Sequence, residues 1–111
     1  MWRDEAFLLD MLLAARKVRE FTRDIGWEQF QTDEVLQHAA MHLIQTIGEA
    51  ARKVSVDFRQ AHPEIPWQSI IGMRNRLVHE YFRIIAVEVW RVIEEDVPEL
   101  IALLEPLVPS E

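Results

Sequence analysis

Apolar side chains recur along this chain at three- and four-residue intervals, the spacing of one face of an α-helix. From Asp4 to about Arg23, Phe7, Leu8, Met11, Leu12, Ala15 and Val18 are separated by charges and predict a first helix. Gly26 is placed to terminate it. Trp27 to Phe30 is too short for more than a turn, with aromatics positioned to plug a bundle. Thr32 is the expected N-cap of a second helix, with Asp33 and Glu34 in a first turn where carboxylates are favoured. This helix is predicted from Asp33 to about Phe58, on a stripe of Leu36, Ala39, Ala40, Leu43, Ile47, Ala50, Ala51 and Val54. The small residues on it permit close helix–helix approach. Gly48, mid-helix at a cost of about 1 kcal/mol against alanine, is expected to make room for a neighbour.

The stretch His62-Pro63-Glu64-Ile65-Pro66 breaks the pattern, because each proline disfavours helix in the residue before it. Pro66 suits the first turn of a third helix, predicted from Trp67 to Phe82. A fourth starts near Ala86 and carries Val89, Trp90, Val92 and Ile93. Asp96-Val97-Pro98-Glu99 has capping-box spacing, so it either restarts a last short helix or kinks a continuous one at Pro98. Pro106 and Pro109 end the order. Without strand alternation, flexible linker or internal repeat, the pattern predicts one all-α domain over residues 1–111. Its architecture is an up-and-down helical bundle of four to five helices.

Composition narrows the class. Half of the 111 residues are apolar, which argues against a disordered chain, and the absence of cysteine excludes disulfides and thiolate metal sites. Met1 to Glu5 lack the basic-then-apolar order of a signal peptide, and no apolar run reaches the length of a membrane span. A soluble, cytoplasmic protein is expected. The net charge of −7 argues against generic nucleic-acid affinity. Its distribution is uneven: five basic and nine acidic residues over 1–50, six and three over 51–83, one and seven over 84–111. Only the middle segment is positive.

That segment holds the chemistry. Ile70 to Phe82 gathers Arg, Asn, His and Tyr in one helical run. With Arg74 at zero on a helical wheel, Asn75 falls near about 100°, His79 near about 140° and Tyr81 near about −20°, giving one broad polar-apolar face. Asn75 and His79 are four residues apart, so the amide is placed to orient the imidazole. Arg76, Glu80 and Arg83 point away, with Glu80 able to pair locally with either arginine. An imidazole titrates near neutrality and a guanidinium holds a phosphate bidentately. Together they meet the needs of metal-free RNA cleavage: a base for the 2′-hydroxyl and a cation for the phosphorane. No carboxylates cluster near His79, so neither a metal site nor a cofactor is expected. The plainer alternative stays open, with Arg74 and His79 as ion-pair and packing residues.

Other candidates carry less. His38 and His42, four residues apart, suit a metal only with a third ligand, and surface or packing roles are the simpler account. Glu49 is either an exposed helical carboxylate or the partner of Arg74. Glu94, Glu95 and Asp96 read as a solvated helix end. Trp2, Trp27, Trp67 and Trp90 read as core or interface aromatics.

Arg74-Asn75 followed, after three residues, by His79-Glu80-Tyr81 resembles the Arg-x4-His-x-Tyr motif of HepT-like toxins in the HEPN superfamily. The resemblance extends through Ile47-Gly48-Glu49-Ala50-Ala51, His62 to Trp67, Ile70 to Met73, Val89-Trp90 and Asp96-Val97-Pro98, essentially the whole chain. It implies a homodimer whose motif helices face each other across a shared cleft. It also implies metal-independent ribonuclease activity, with Arg74 and His79 catalytic and Asn75 supporting. A small MntA-type nucleotidyltransferase antitoxin is the implied partner, inactivating the toxin by transferring AMP onto Tyr81. Arg52, Lys53 and Arg76 are the expected RNA-binding patch, with Glu49 supporting. Arg83 stands where a small residue is expected. The alternative function is a non-catalytic helical subunit that binds nucleotide or substrate for a separate nucleotidyltransferase. A purely structural dimer is the second rival.

Overall fold

The computed structural model describes residues 2–109, with only the backbone of Trp2, so the aromatic role expected of that side chain lies outside the described residues. Among them there are helices and turns but no strands, as the apolar spacing predicts. Helix α1 spans Trp2–Thr22, α2 is the single turn Trp27–Phe30, α3 spans Glu34–Ala51, α4 Val56–Ala61 and α5 Trp67–His79. A 3₁₀ turn over Tyr81–Arg83 leads to α6, Ala86–Arg91, and α7, Val97–Leu104. Helix α1 packs on α3, α3 on α5, and α7 returns against α1. The core between them is built from Leu8, Met11, Val18, Ile44, Ile93 and Leu104, all 5 % exposed or less.

Three local expectations change, and one open alternative is settled. Gly26 does not close α1, which ends at Thr22. It is the N-cap of α2. Asp33 rather than Thr32 caps α3, its carboxylate accepting from the Leu36 N–H at 3.0 Å. The Thr32 hydroxyl turns back instead to the Gln29 carbonyl at 3.1 Å. The helix expected to reach Phe58 stops at Ala51, and Ser55 starts α4 by accepting from the Phe58 N–H. At the other end the helix runs continuously past Pro98 rather than restarting there. Helix α6 widens into a π-turn over Val92–Asp96, where the Val97 N–H reaches back to the Val92 carbonyl. The wider turn accommodates a residue that has no N–H and whose ring crowds the carbonyl four residues earlier. Asp96 caps nothing.

The break after α3 has a tertiary cause. Asp4 is buried, and its carboxylate accepts from the Ser55 N–H at 2.9 Å and the Ser55 Oγ–H at 2.7 Å. Those bonds, the backbone one foremost, hold the Asp4 carboxyl below its ordinary range despite burial. Asp4→Ala leaves the Ser55 N–H without its partner, a loss of about 1–3 kcal/mol at pH 7. A depressed folded pKa gives stability that is present above the unfolded value of about 3.9 and lost as pH falls through the folded value. Denaturation midpoints of wild type and variant should therefore differ at pH 7 and converge in acid below about pH 4.

Candidate functional site

Helix α5 forms because Ile70, Met73 and Leu77 repeat at helical spacing, and it packs chiefly on α3. Gly48 lets the two backbones close. A Cβ on Gly48 would fall inside van der Waals contact of the Arg74 Cβ, 2.9 Å from its Cγ and 3.1 Å from the Ile70 carbonyl oxygen. The room expected at Gly48 is therefore taken by the base of the Arg74 side chain.

Arg74 then turns along α3. Its Nε–H donates to Glu49, and an Nη1–H donates to the Asn75 Oδ1 at 2.9 Å. The Arg74 side chain is 17 % exposed and that of Glu49 34 % exposed, so the guanidinium sits at a rim with further N–H donors unspent. Glu49 pairs with Arg74 inside one chain. Asn75, expected to orient His79, spends its amide oxygen on Arg74 instead. His79 is the last residue of α5, and it is exposed. Five helical steps lead from Arg74 to His79, about 7.5 Å along the axis and about 140° around it. On an ideal helix that places the two side chains at opposite edges of one broad face rather than side by side.

The helix expected to run to Phe82 ends at His79. Glu80 leaves the helical region at φ −133°, ψ 33°, and the chain continues as the 3₁₀ turn. Tyr81 is therefore not two turns above Arg74 on one face. Its half-buried ring stacks on His38 of α3, with centroids 5.4 Å apart and planes 13° apart, and its hydroxyl meets His38 Nδ1. Burial pushes the phenol above its ordinary value. His38 thus has an aromatic partner, and among the described residues no three His, Asp or Glu side chains are placed to hold a metal ion. Arg83 fits its turn without strain, since no described non-glycine residue has positive φ.

Arg76 lies on the other side of α5, held not by Glu80 but by Glu88 of α6 through bonds of 2.5 and 3.2 Å. The bidentate pair draws the Glu88 carboxyl below its ordinary range. Arg52 and Lys53 are exposed beyond the end of α3, the Lys53 ammonium 5.9 Å from the Phe7 ring centroid. The remaining tryptophans serve packing. Trp27 and Trp90 close over Phe30, and Trp67 is buried with its indole N–H on the His62 carbonyl. Glu94, Glu95 and Asp96 are exposed, as expected of a solvated helix end, and Arg19 of α1 pairs with Glu94 at 2.8 Å.

Beside α5 runs a groove of about 820 Å³, lined by Ile44 and Ile47 of α3, Ile70 and Met73 of α5, and Leu100 and Leu103 of α7. Val78 in the last turn of α5, and Phe82, Ile85 and Val87 beyond it, are exposed, Phe82 at 93 %. Among the described residues no helix is long and apolar enough to cross a membrane.

Comparison with known proteins gives this arrangement a context. Residues 11–107 match the family model described as Ribonuclease HepT-like. A protein of Methanocaldococcus jannaschii named as an RNase is 40 % identical over 96 residues, covering 86 % of this chain and 88 % of its own. A protein of Thermococcus cleftensis named "Probable ribonuclease HepT" is 38 % identical over 101 residues, covering 91 % and 92 %. No solved structure matches significantly.

Proposed function

The chain belongs to the HepT-like ribonuclease family, and on that premise we propose that it is the toxin of a HepT/MntA-type pair, a metal-independent endoribonuclease acting as a homodimer. The observation that carries the reading is the seating of Arg74, lodged against Gly48 and aimed by Glu49 and Asn75 on the helix that ends at His79. A guanidinium fixed from below, with donors left over, suits charge that grows on a phosphate oxygen. An exposed imidazole suits removal of a 2′-hydroxyl proton. The freed oxygen attacks the adjacent phosphorus, the bond to the 5′-oxygen breaks, that oxygen takes a proton from water, and a 2′,3′-cyclic phosphate and a 5′-hydroxyl result.

Because an ideal helix sets Arg74 and His79 at opposite edges of the α5 face, the cleft is composite. Two copies facing through α5 bring both kinds of side chain into one groove. The exposed Val78, Phe82, Ile85 and Val87 support that face as the interface. Arg52 and Lys53 supply phosphate contacts, while the charge of Arg76 is largely offset by Glu88. A cognate MntA-type nucleotidyltransferase silences the toxin by placing AMP on Tyr81, adding a phosphodiester anion and an adenosine beside the cleft.

The purified chain, incubated with RNA in excess chelator, should cut it and leave cyclic phosphate ends. A strict need for divalent metal, or 3′-hydroxyl ends, would reject the mechanism.

A further inference from the structure

The contact between His38 and Tyr81 joins two residues 43 positions apart in sequence, and the RNA-cleaving mechanism uses neither. Tyr81 is held on one face by the His38 stack and edge-on by Phe82, centroids 5.3 Å apart. Its hydroxyl meets Nδ1, and in the tautomer that carries the ring proton on Nε2 the Tyr81 O–H donates to Nδ1. A phenol is a weak nucleophile while it keeps its proton, and it becomes effective when an adjacent base takes that proton as the new bond forms. Imidazole is the side chain whose ordinary pKa suits that task near neutrality. Burial of Tyr81 makes unaided ionisation still less favourable. His38 itself is exposed, with a route for the proton onward to water.

We propose that His38 is the base that accepts the Tyr81 proton when Tyr81 takes a nucleotidyl group from a nucleoside triphosphate held on the partner transferase. The inference rests on reading Tyr81 as the modified residue, and adds that the toxin itself supplies part of the chemistry of its own inactivation. In the step, Tyr81 Oη forms a bond to the α-phosphorus. The bond from that phosphorus to the pyrophosphate oxygen breaks, and pyrophosphate leaves with the electron pair. The phenolic proton passes to His38 Nδ1, and the Nε2 proton is released to solvent.

The test is a single-turnover reaction of the full chain with saturating cognate transferase, ATP and Mg²⁺, followed by intact-mass spectrometry and peptide mapping. Wild type should gain one adenylyl mass on Tyr81. His38→Ala should slow the gain by about 10²–10⁴-fold, the usual contribution of a general base. His38→Asn places an oxygen near the Nδ1 position that accepts a hydrogen bond but takes no proton at neutral pH, and it should be as slow as alanine. Added imidazole should partly restore the alanine variant. A wild-type rate in either variant, with adduct still on Tyr81, overturns the role of His38 while leaving the modification reading intact. No adduct on wild type, or one that survives Tyr81→Phe, removes both.

Discussion

Replacing His79 by alanine is expected to slow RNA cleavage by about 10²–10⁴-fold, the span of a lost general acid or base. The unfolding free energy should stay within about 0.5 kcal/mol of wild type, as for other exposed positions. His79 is exposed at the end of α5, so its removal opens no cavity and strands no buried partner. That separation gives the experiment its power. If Arg74 and His79 were only packing and pairing residues, the variant would lose stability and have no activity to lose. If the chain were a non-catalytic subunit of a nucleotidyltransferase, wild type itself would leave RNA intact. Cleavage rate, melting temperature and elution volume of the same preparations distinguish the three. Retained cleavage at wild-type rate would remove His79 from the mechanism.

The all-α bundle and the motif segment were legible because both are written in local spacing. Repeats of three and four residues identify α1, α3 and α5 without any knowledge of what they touch. What local spacing misses is decided by distant partners. The stripe on α3 continues through Val54, yet the helix stops at Ala51 because Asp4, 51 residues earlier, claims the Ser55 N–H and hydroxyl. Neither Gly nor Pro marks the end of α5 at His79, so the pattern runs on to Phe82 and puts Tyr81 on the wrong face. His38 is the residue whose part was hardest to see, since its partner lies 43 positions away. One signal did exist. Once Gly48 and Glu49 are set against Arg74, an antiparallel pair of helices brings the start of α3 to the end of α5, which is where His38 and Tyr81 meet.

Gly48→Ala should cost both stability and activity, although alanine is the better helix former by about 1 kcal/mol. Two effects oppose each other here, and their sizes set the sign. The added methyl falls within contact of Arg74 Cβ and stands 3.1 Å from the Ile70 carbonyl, neither of which is the free end of a flexible side chain. Helix α5 must therefore move, and overpacking of this kind costs about 1–3 kcal/mol. The net change is a loss, expected at about 0–2 kcal/mol once the propensity gain is set against it. The effect on cleavage should be larger than the effect on stability. Arg74 rides on the part of α5 that shifts, and a displacement near 1 Å at a catalytic group lowers rates on the order of 10²-fold. Gly72 provides the contrast within the same helix. A Cβ there meets nothing within 4 Å, so Gly72→Ala should stabilise the fold by up to about 1 kcal/mol. Chemical denaturation of the two variants beside a cleavage assay of Gly48→Ala tests the account. A Gly48→Ala protein that melts higher than wild type and cuts RNA at full rate would show that the close approach of α3 and α5 at Arg74 does not depend on the absence of a side chain at position 48.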